Sequence, residues 1–170
     1  MGPPLTVVLV NAKTNGNFTD ENRRLIARIS PLCYAYNFHL LLVNFKIEKS
    51  PVDFARDIST TTSISNSGKR LIKLAQNGKL RFTNLPLTEN VGKIIICTHK
   101  PDEAKIINSK EIKILAEKEK LALVFGCKTD SNKNVRKLVE KSEWHIDVSG
   151  KNIELTLDSE IGAVSTIIKH

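Results

Sequence analysis

The sequence predicts an α/β fold: a mostly parallel sheet with helices on both faces. Three observations lead there. Short runs such as Leu5 to Val10, Phe38 to Phe45, Lys93 to Cys97 and Leu121 to Phe125 are almost continuously apolar, the pattern of strands buried on both sides rather than the alternation of a half-exposed one. Between them lie segments whose apolar residues recur at helical spacing, so strand and helix alternate along the chain. The length of 170 residues fits one domain, 1–170, with room for a three-layer core that needs no disulfide or structural metal.

Taken in order, Leu5 to Val10 is a valine-rich strand, and Asn11 to Thr19 a polar loop whose end, Thr19 or Asp20, can cap a helix. Glu21 to Tyr36 follows, with Leu25, Ile26, Ile29, Leu32 and Cys33 on one face and Pro31 as an expected kink. Phe38 to Phe45 is a second strand and Pro51 to Ile58 a short helix. Ser59 to Ser67 reads as a Ser/Thr-rich loop. Ser67 to Asn77 is a helix that Gly78 ends, and Leu80 to Phe82 a weak strand. A proline-containing loop leads to the strand Lys93 to Cys97, and Ser109 to Lys120 is an amphipathic helix. The last fifty residues read as the strand Leu121 to Gly126, a polar turn from Cys127 to Lys133, a helix Asn134 to Lys141 and a strand Trp144 to Val148. The loop Ser149 to Asn152 then leads into an apolar segment, Ile153 to Ile168. No repeat or low-complexity tract is present.

Composition excludes several classes. No run is long enough to span a membrane and Thr6 to Val10 is too short for a signal-peptide core, so a soluble cytoplasmic protein is expected. Cys33, Cys97 and Cys127 are odd in number and widely spaced, which favours reduced thiols. His39, His99, His145 and His170 show no metal-ligand spacing, and no metal site is expected. The net charge is +8, and its placement is uneven. The first 85 residues hold twelve Lys and Arg against five Asp and Glu, the rest fourteen against thirteen. Arg23, Arg24 and Arg28 form one basic group; Lys69, Arg70, Lys73, Lys79 and Arg81 form another. Such a face suits a polyanion such as RNA, though many proteins of high pI merely carry solvated lysines.

In parallel sheets ligands gather at the carboxyl ends of the strands. The sites to consider are therefore the loops after Val10, Cys97, Phe125 and Val148. None contains a dinucleotide-binding glycine fingerprint or a P-loop, which leaves a nucleotide-like cofactor held by other loops. Cys97 and Cys127 read as small core residues at strand ends rather than nucleophiles, and His99 as a surface-loop histidine. Asp158 and Glu160 are candidate bases or, the preferred reading, acidic residues favouring the start of the last helix.

Three pieces of the chain resemble the SPOUT methyltransferases, and within them an archaeal group of uncharacterised SPOUT-like proteins. Asn22-Arg-Arg-Leu-Ile-Ala-Arg28 is similar to the asparagine and arginine of the first motif in TrmH-type ribose methyltransferases. Leu123-Val-Phe-Gly-Cys127, with its turn and helix, resembles the second. Ile146-Asp-Val-Ser-Gly150 followed by Ile153 to Ala163 occupies the place of the third. The chain departs from the pattern in places: Lys128 stands where that family has glutamate, the turn that follows has Thr129, Asp130 and Ser131 in place of further glycine, and Thr156 stands where the family has asparagine.

The resemblance implies a C-terminal trefoil knot, bound S-adenosylmethionine and an obligate homodimer. The cofactor would lie among Cys97, Thr98, Gly126, Cys127, Ile146, Ile153, Leu155 and Thr156. Arg28 matches the catalytic arginine, with Arg24 one turn before it and Asn22 at the motif's start. The activity implied is methylation of tRNA or rRNA, with ribose 2′-O-methylation the first expectation and base methylation open; no DNA or membrane partner is expected. Two other classes stand beside it: a catalytically silent SPOUT-fold RNA-binding protein, and an α/β nucleotide-binding module without an RNA partner.

Overall fold

Six strands, all parallel, form one sheet in the order β3-β2-β1-β5-β4-β6. They are β1 (Leu5–Val10), β2 (His39–Val43), β3 (Leu80–Thr83), β4 (Lys93–Cys97), β5 (Leu121–Phe125) and β6 (Trp144–Ile146). The helices are α1 (Asp20–Ala35), α2 (Pro51–Thr61), α3 (Ser67–Gln76), α4 (Ser109–Lys118), α5 (Lys133–Lys141) and α6 (Leu157–Lys169), with a 3-10 turn at Glu103–Lys105. The computed structural model describes residues 2–12, 18–61, 67–127 and 132–170. The polar turn through Lys128, Thr129, Asp130 and Ser131 lies outside them, as does part of each of the loops expected after Val10 and Ser59.

The continuous apolar runs are the central strands. β1 lies between β2 and β5, with Val8 level with Leu41 and Val124, and all six residues of β1 and all five of β5 are buried. Fully burying an aliphatic side chain of this kind contributes about 1.5–3 kcal/mol. That is why these runs make no use of polar alternation.

The two faces are covered unequally. Leu5, Val7, Leu9, Leu40, Leu42, Leu121, Leu123 and Phe125 pack under α1, α2, α3, α4 and α6. On the other face Val8, Val10, Leu41, Val43, Ile96 and Val124 meet, among the described residues, α5, through Val135 and Leu138, and the loop after β3, through Leu85, Leu87 and Val91. The strand order explains the asymmetry. β1 to β2, β2 to β3 and β4 to β5 step in one direction along the sheet and β5 to β6 in the other. Right-handed crossovers send opposite steps to opposite faces.

Several sequence expectations need correction. α2 does not stop at Ile58: Ser59, Thr60 and Thr61 are helical, and the Thr60 hydroxyl donates to Asp57 O at 3.1 Å, so the hydroxyl serves the preceding turn instead of opening a loop. α1 does contain Pro31 within its span, and buried Ile26, Ala27, Ile29 and Cys33 anchor it beneath. β6 ends at Ile146 rather than Val148, because Asp147 turns the chain. The ends of α1 and α3 follow expectation. Thr19 and Asn22 form a capping box, and Gly78, at φ +71, closes α3 with bonds from Gly78 N to Ala75 O (3.1 Å) and Lys79 N to Leu74 O (2.8 Å).

Candidate functional site

The chain leaves β1 and β4 toward the five-helix face and leaves β5, which lies between them, toward the opposite face. By topology the connections diverge at the carboxyl end of β5, at Gly126 and Cys127, the position where sheets of this kind place a ligand crevice. Gly126 is demanded twice at this point. Its φ is +85, and a Cβ would stand 2.5 Å from Val10 O, so only glycine lets β5 end against β1.

The neighbouring wall is made by β4 and β6. Cys97 pairs with Ile146 in the ladder, and Thr98 N extends it by donating to Ile146 O at 2.9 Å. Past Ile146, Asp147 organises the turn. Its Oδ1 accepts from Ser149 N (3.1 Å) and Ser149 Oγ (2.6 Å), and its Oδ2 from Asn152 N (2.8 Å). Ser149 Oγ in turn accepts from Ile153 N at 3.2 Å. Asn152, at φ +57, then reaches back, its Nδ2 donating to His99 O at 3.1 Å. The loops after β4 and β6 are thus one cross-linked unit, built largely from backbone groups.

The expected cofactor residues divide by depth. Cys97 and Ile146 are buried, Thr98, Gly126, Cys127 and Leu155 half-buried, and Thr156 and Ile153 exposed, Ile153 at 55%. Cys97 and Cys127 are near enough to influence each other electrostatically. Burial pushes the Cys127 thiol up to about 12 and Cys97 well above the ordinary range, so both are neutral. Ile146 belongs to the core under the helices and offers the crevice its backbone more than its side chain.

α6 begins at this wall. Thr156 is its N-cap residue, but its hydroxyl donates to Ser159 Oγ at 2.9 Å instead of capping a backbone N–H. Asp158 does act as a helix-start acid: the Thr156 hydroxyl first, then the backbone N–H groups of Ser159 and Asp158, and Arg28, hold its carboxyl below the usual range. Glu160 does not, and the expectation is corrected here. It is buried, at 9% exposure, and burial, then Asp147 and Glu154, raise its carboxyl to about 7. A helix-start acid would be solvated and ionised.

Arg28 comes to the same place from α1, with Nη1 3.9 Å from Asp158 Oδ2. Arg24, one turn earlier, is exposed on nearly the same face. Asn22 is not brought to this point. Six helical residues put it about 9 Å along the axis and roughly 120° around from Arg28, and its Oδ1 accepts from Thr19 N (3.0 Å) and Thr19 Oγ1 (2.9 Å). Glu160 is the residue whose burial the sequence reading missed. Its signal was periodicity: with Ile161, Val164, Ser165 and Ile168 it lies on the buried stripe of α6.

Of the basic groups, Arg23 is engaged with Asp57 at 2.8 Å and lies 5.2 Å from the centre of the Phe18 ring, while Arg81 pairs with Glu89. Lys69, Arg70 and Lys73 stay exposed on α3, which packs against α1. Arg70 stacks 4.8 Å over Tyr34 of α1. With Arg24 and Arg28 they are the exposed cations of these two packed helices. Among the described residues no group of His, Cys, Asp and Glu is arranged to hold a metal ion, and no helix is long and apolar enough to cross a membrane. A separate open groove of about 400 Å³ lies at the far edge of the sheet, between Arg81, Phe82, Thr83 and Pro51.

No family model matches the chain. It is 27% identical over 164 residues to "Uncharacterized protein MJ0224" of Methanocaldococcus jannaschii, a match spanning 96% of this chain and 92% of that protein. The likeness is therefore to a protein of similar extent from an archaeon, over the whole domain, and that name states no activity.

Proposed function

We propose that this chain is a SPOUT-type, S-adenosylmethionine-dependent methyltransferase acting on tRNA or rRNA, with a C-terminal trefoil knot and working as a homodimer in the cytoplasm. One observation carries the reading: three segments far apart in sequence converge at the carboxyl edge of the sheet. Arg28 reaches Asp158, Gly126 and Cys127 lie beside Cys97, and the turn Asp147 to Ile153 is tied to the loop Thr98 to Lys100.

The residues present fit such a cofactor. A backbone-built crevice with neutral thiols and half-buried Leu155 suits an uncharged adenine, and glycine at 126 allows close main-chain approach. Bound S-adenosylmethionine supplies an electrophilic methyl group. The chain's part is to align the acceptor with that methyl. Arg28, exposed beside the crevice, would orient the acceptor or bind its phosphate, since a guanidinium stays protonated and is a poor base. The exposed cations of α1 and α3 would carry the RNA through phosphate contacts. Whether the acceptor is a ribose hydroxyl or a base nitrogen is a question of product chemistry.

A catalytically silent RNA-binding protein of the same fold is the second reading. It is favoured by Asn22, whose carboxamide oxygen is engaged in capping α1, and by Thr156 and Lys128 at positions where the resembling family has asparagine and glutamate. Isothermal titration with S-adenosylmethionine, followed by tritium transfer to unmodified RNA, separates the readings. Binding with transfer supports the enzyme; RNA retention without transfer supports the silent protein. Absence of cofactor binding rejects the first reading.

A further inference from the structure

Acidic residues avoid one part of this molecule. Residues 22–47 and 58–88 hold four and five Lys or Arg and not one Asp or Glu, and they supply nearly all of α1 and the whole of α3, two helices packed side by side. Lys69 and Arg70 stand in the first turn of α3, where the exposed N–H groups of a helix disfavour a cation, and that turn carries no acid. Lys73 adds a third like charge on the same side, four residues from Lys69 and three from Arg70, spacings that repel. The fold gains nothing from these charges. None of the three forms an ion pair among the described residues, and Asp57 on neighbouring α2 is taken by Arg23 and Lys49. Arg70 instead lies 4.8 Å over the ring of Tyr34, an aromatic side chain left 40% exposed. The helices are held beneath by Ile29, Cys33, Leu71 and Leu74 of the core, so this outer contact is an addition to their packing.

We propose that the seam between α1 and α3 binds single-stranded RNA, with an unpaired base stacked on the Tyr34–Arg70 pair and Lys69 and Lys73 on the neighbouring phosphates. The inference rests on the RNA partner in the reading above, not on methyl transfer, and adds to it the form of the RNA and the residues that read that form. Phosphates answer a run of cations without acids. A guanidinium plane over an exposed ring offers the kind of surface on which an unpaired base stacks, whereas a base inside a duplex is already stacked between its neighbours. An anionic membrane would answer the charge, but a helix lying on a membrane buries its apolar face there, and the apolar residues of α3, Leu71, Leu74 and Ala75, are turned into the core.

The test is fluorescence anisotropy with a short labelled RNA of mixed sequence, offered as a single strand and as a duplex with its complement. The wild type is expected to bind the single strand about fivefold tighter than the duplex, or more. Tyr34→Leu, which keeps an apolar side chain, and Arg70→Lys, which keeps the charge, should each weaken single-strand binding by about five- to fiftyfold, with duplex binding within about twofold and the salt dependence unchanged. Lys73→Ala should instead weaken both forms and lower the slope of log affinity against log salt by about 0.7–0.9. Circular dichroism and urea unfolding check the fold of each variant, and should one fail to fold the other decides. Equal losses for strand and duplex, or no loss in either, overturn the stacking site and leave the RNA partner standing. Tighter binding to phosphatidylglycerol vesicles than to either RNA makes this face a membrane surface and overturns it too. If the wild type binds neither RNA, this inference falls together with the RNA partner, while titration with S-adenosylmethionine still decides the cofactor separately.

Discussion

Arg28 Nη1 stands 3.9 Å from Asp158 Oδ2, joining α1 to the first turn of α6 across more than a hundred residues of sequence. Both side chains are substantially exposed, 55% and 40%, so the pair is screened and contributes at most about 1 kcal/mol to stability. Its interest is positional: the arginine is held at the lip of the crevice, where an acceptor would enter.

Arg28→Ala should therefore change function and not folding. The expected outcome is a loss of methyl transfer of about 100-fold or more, from removal of an orienting charge, with the free energy of unfolding in urea changed by less than about 1 kcal/mol. Cofactor affinity measured by titration should stay within threefold. A large drop in stability would mean that the pair is a structural contact after all.

Gly126→Ala tests the crevice itself. The positive φ costs a non-glycine residue about 1–2 kcal/mol, and the new Cβ would meet Val10 O at 2.5 Å, so a total of about 2–4 kcal/mol is expected in denaturant unfolding. Gly78→Ala, which also has a positive φ but meets nothing within 4 Å, should cost only the backbone part. The difference between the two variants measures the contact with β1.

The strands and most helices were legible because burial dictates their composition. Continuous Val, Leu and Ile in β1, β4 and β5 leave little choice other than a sheet covered on both faces, and the capping pair Thr19 and Asn22 marks the start of α1. Where the sequence misled, tertiary context won over local habit. Ser59, Thr60 and Thr61 look like a loop by type, but the Thr60 hydroxyl bonds within a helix whose other face, Phe54, Ala55 and Ile58, is buried. Trp144 to Val148 looks like one strand because nothing local announces that Asp147 will fold over its own turn. Glu160 misled most. By charge it belongs to a helix start, and only the stripe it shares with Val164 and Ile168 shows that it faces inward.

The tie between the two crevice loops can be cut without disturbing the backbone. Asn152→Gly keeps the positive φ of +57 accessible while deleting the Nδ2 bond to His99 O. Faster amide exchange is expected in residues 98–100 and 149–153, with cofactor affinity reduced about 3- to 10-fold, corresponding to the loss of about 1 kcal/mol for one hydrogen bond. Unchanged exchange in the 98–100 loop would show that the ladder bond from Thr98 N to Ile146 O suffices to hold it.

The basic face makes a prediction of its own. Replacing Lys69, Arg70 and Lys73 together by alanine should weaken RNA retention. It should also reduce the slope of log affinity against log salt by about 2 to 3, since each phosphate contact contributes about 0.7–0.9. Cofactor affinity should not change, because α3 is remote from the carboxyl-edge loops after β4 and β6. A salt slope identical to wild type would remove this surface from the RNA site.

Glu160 also gives the protein a characteristic pH dependence. Its carboxyl ionises near the ordinary 4.5 in the unfolded chain and near 7 when folded, with Asp147 and Glu154 as the acidic groups facing it. Below about 4.5 it is protonated in both states and contributes nothing to the pH slope. Between the two values the folded protein binds the extra proton, so stability falls as pH rises, and the loss is complete above about 7. At pH 8 the accumulated cost is of order 2–3 kcal/mol, and Glu160→Gln, which cannot ionise, should escape it. Wild type and variant are thus expected to unfold at similar denaturant concentrations at pH 5 and to diverge toward pH 8 with the variant more stable. Parallel pH profiles for the two proteins would mean that the Glu160 carboxyl titrates alike in the folded and the unfolded chain.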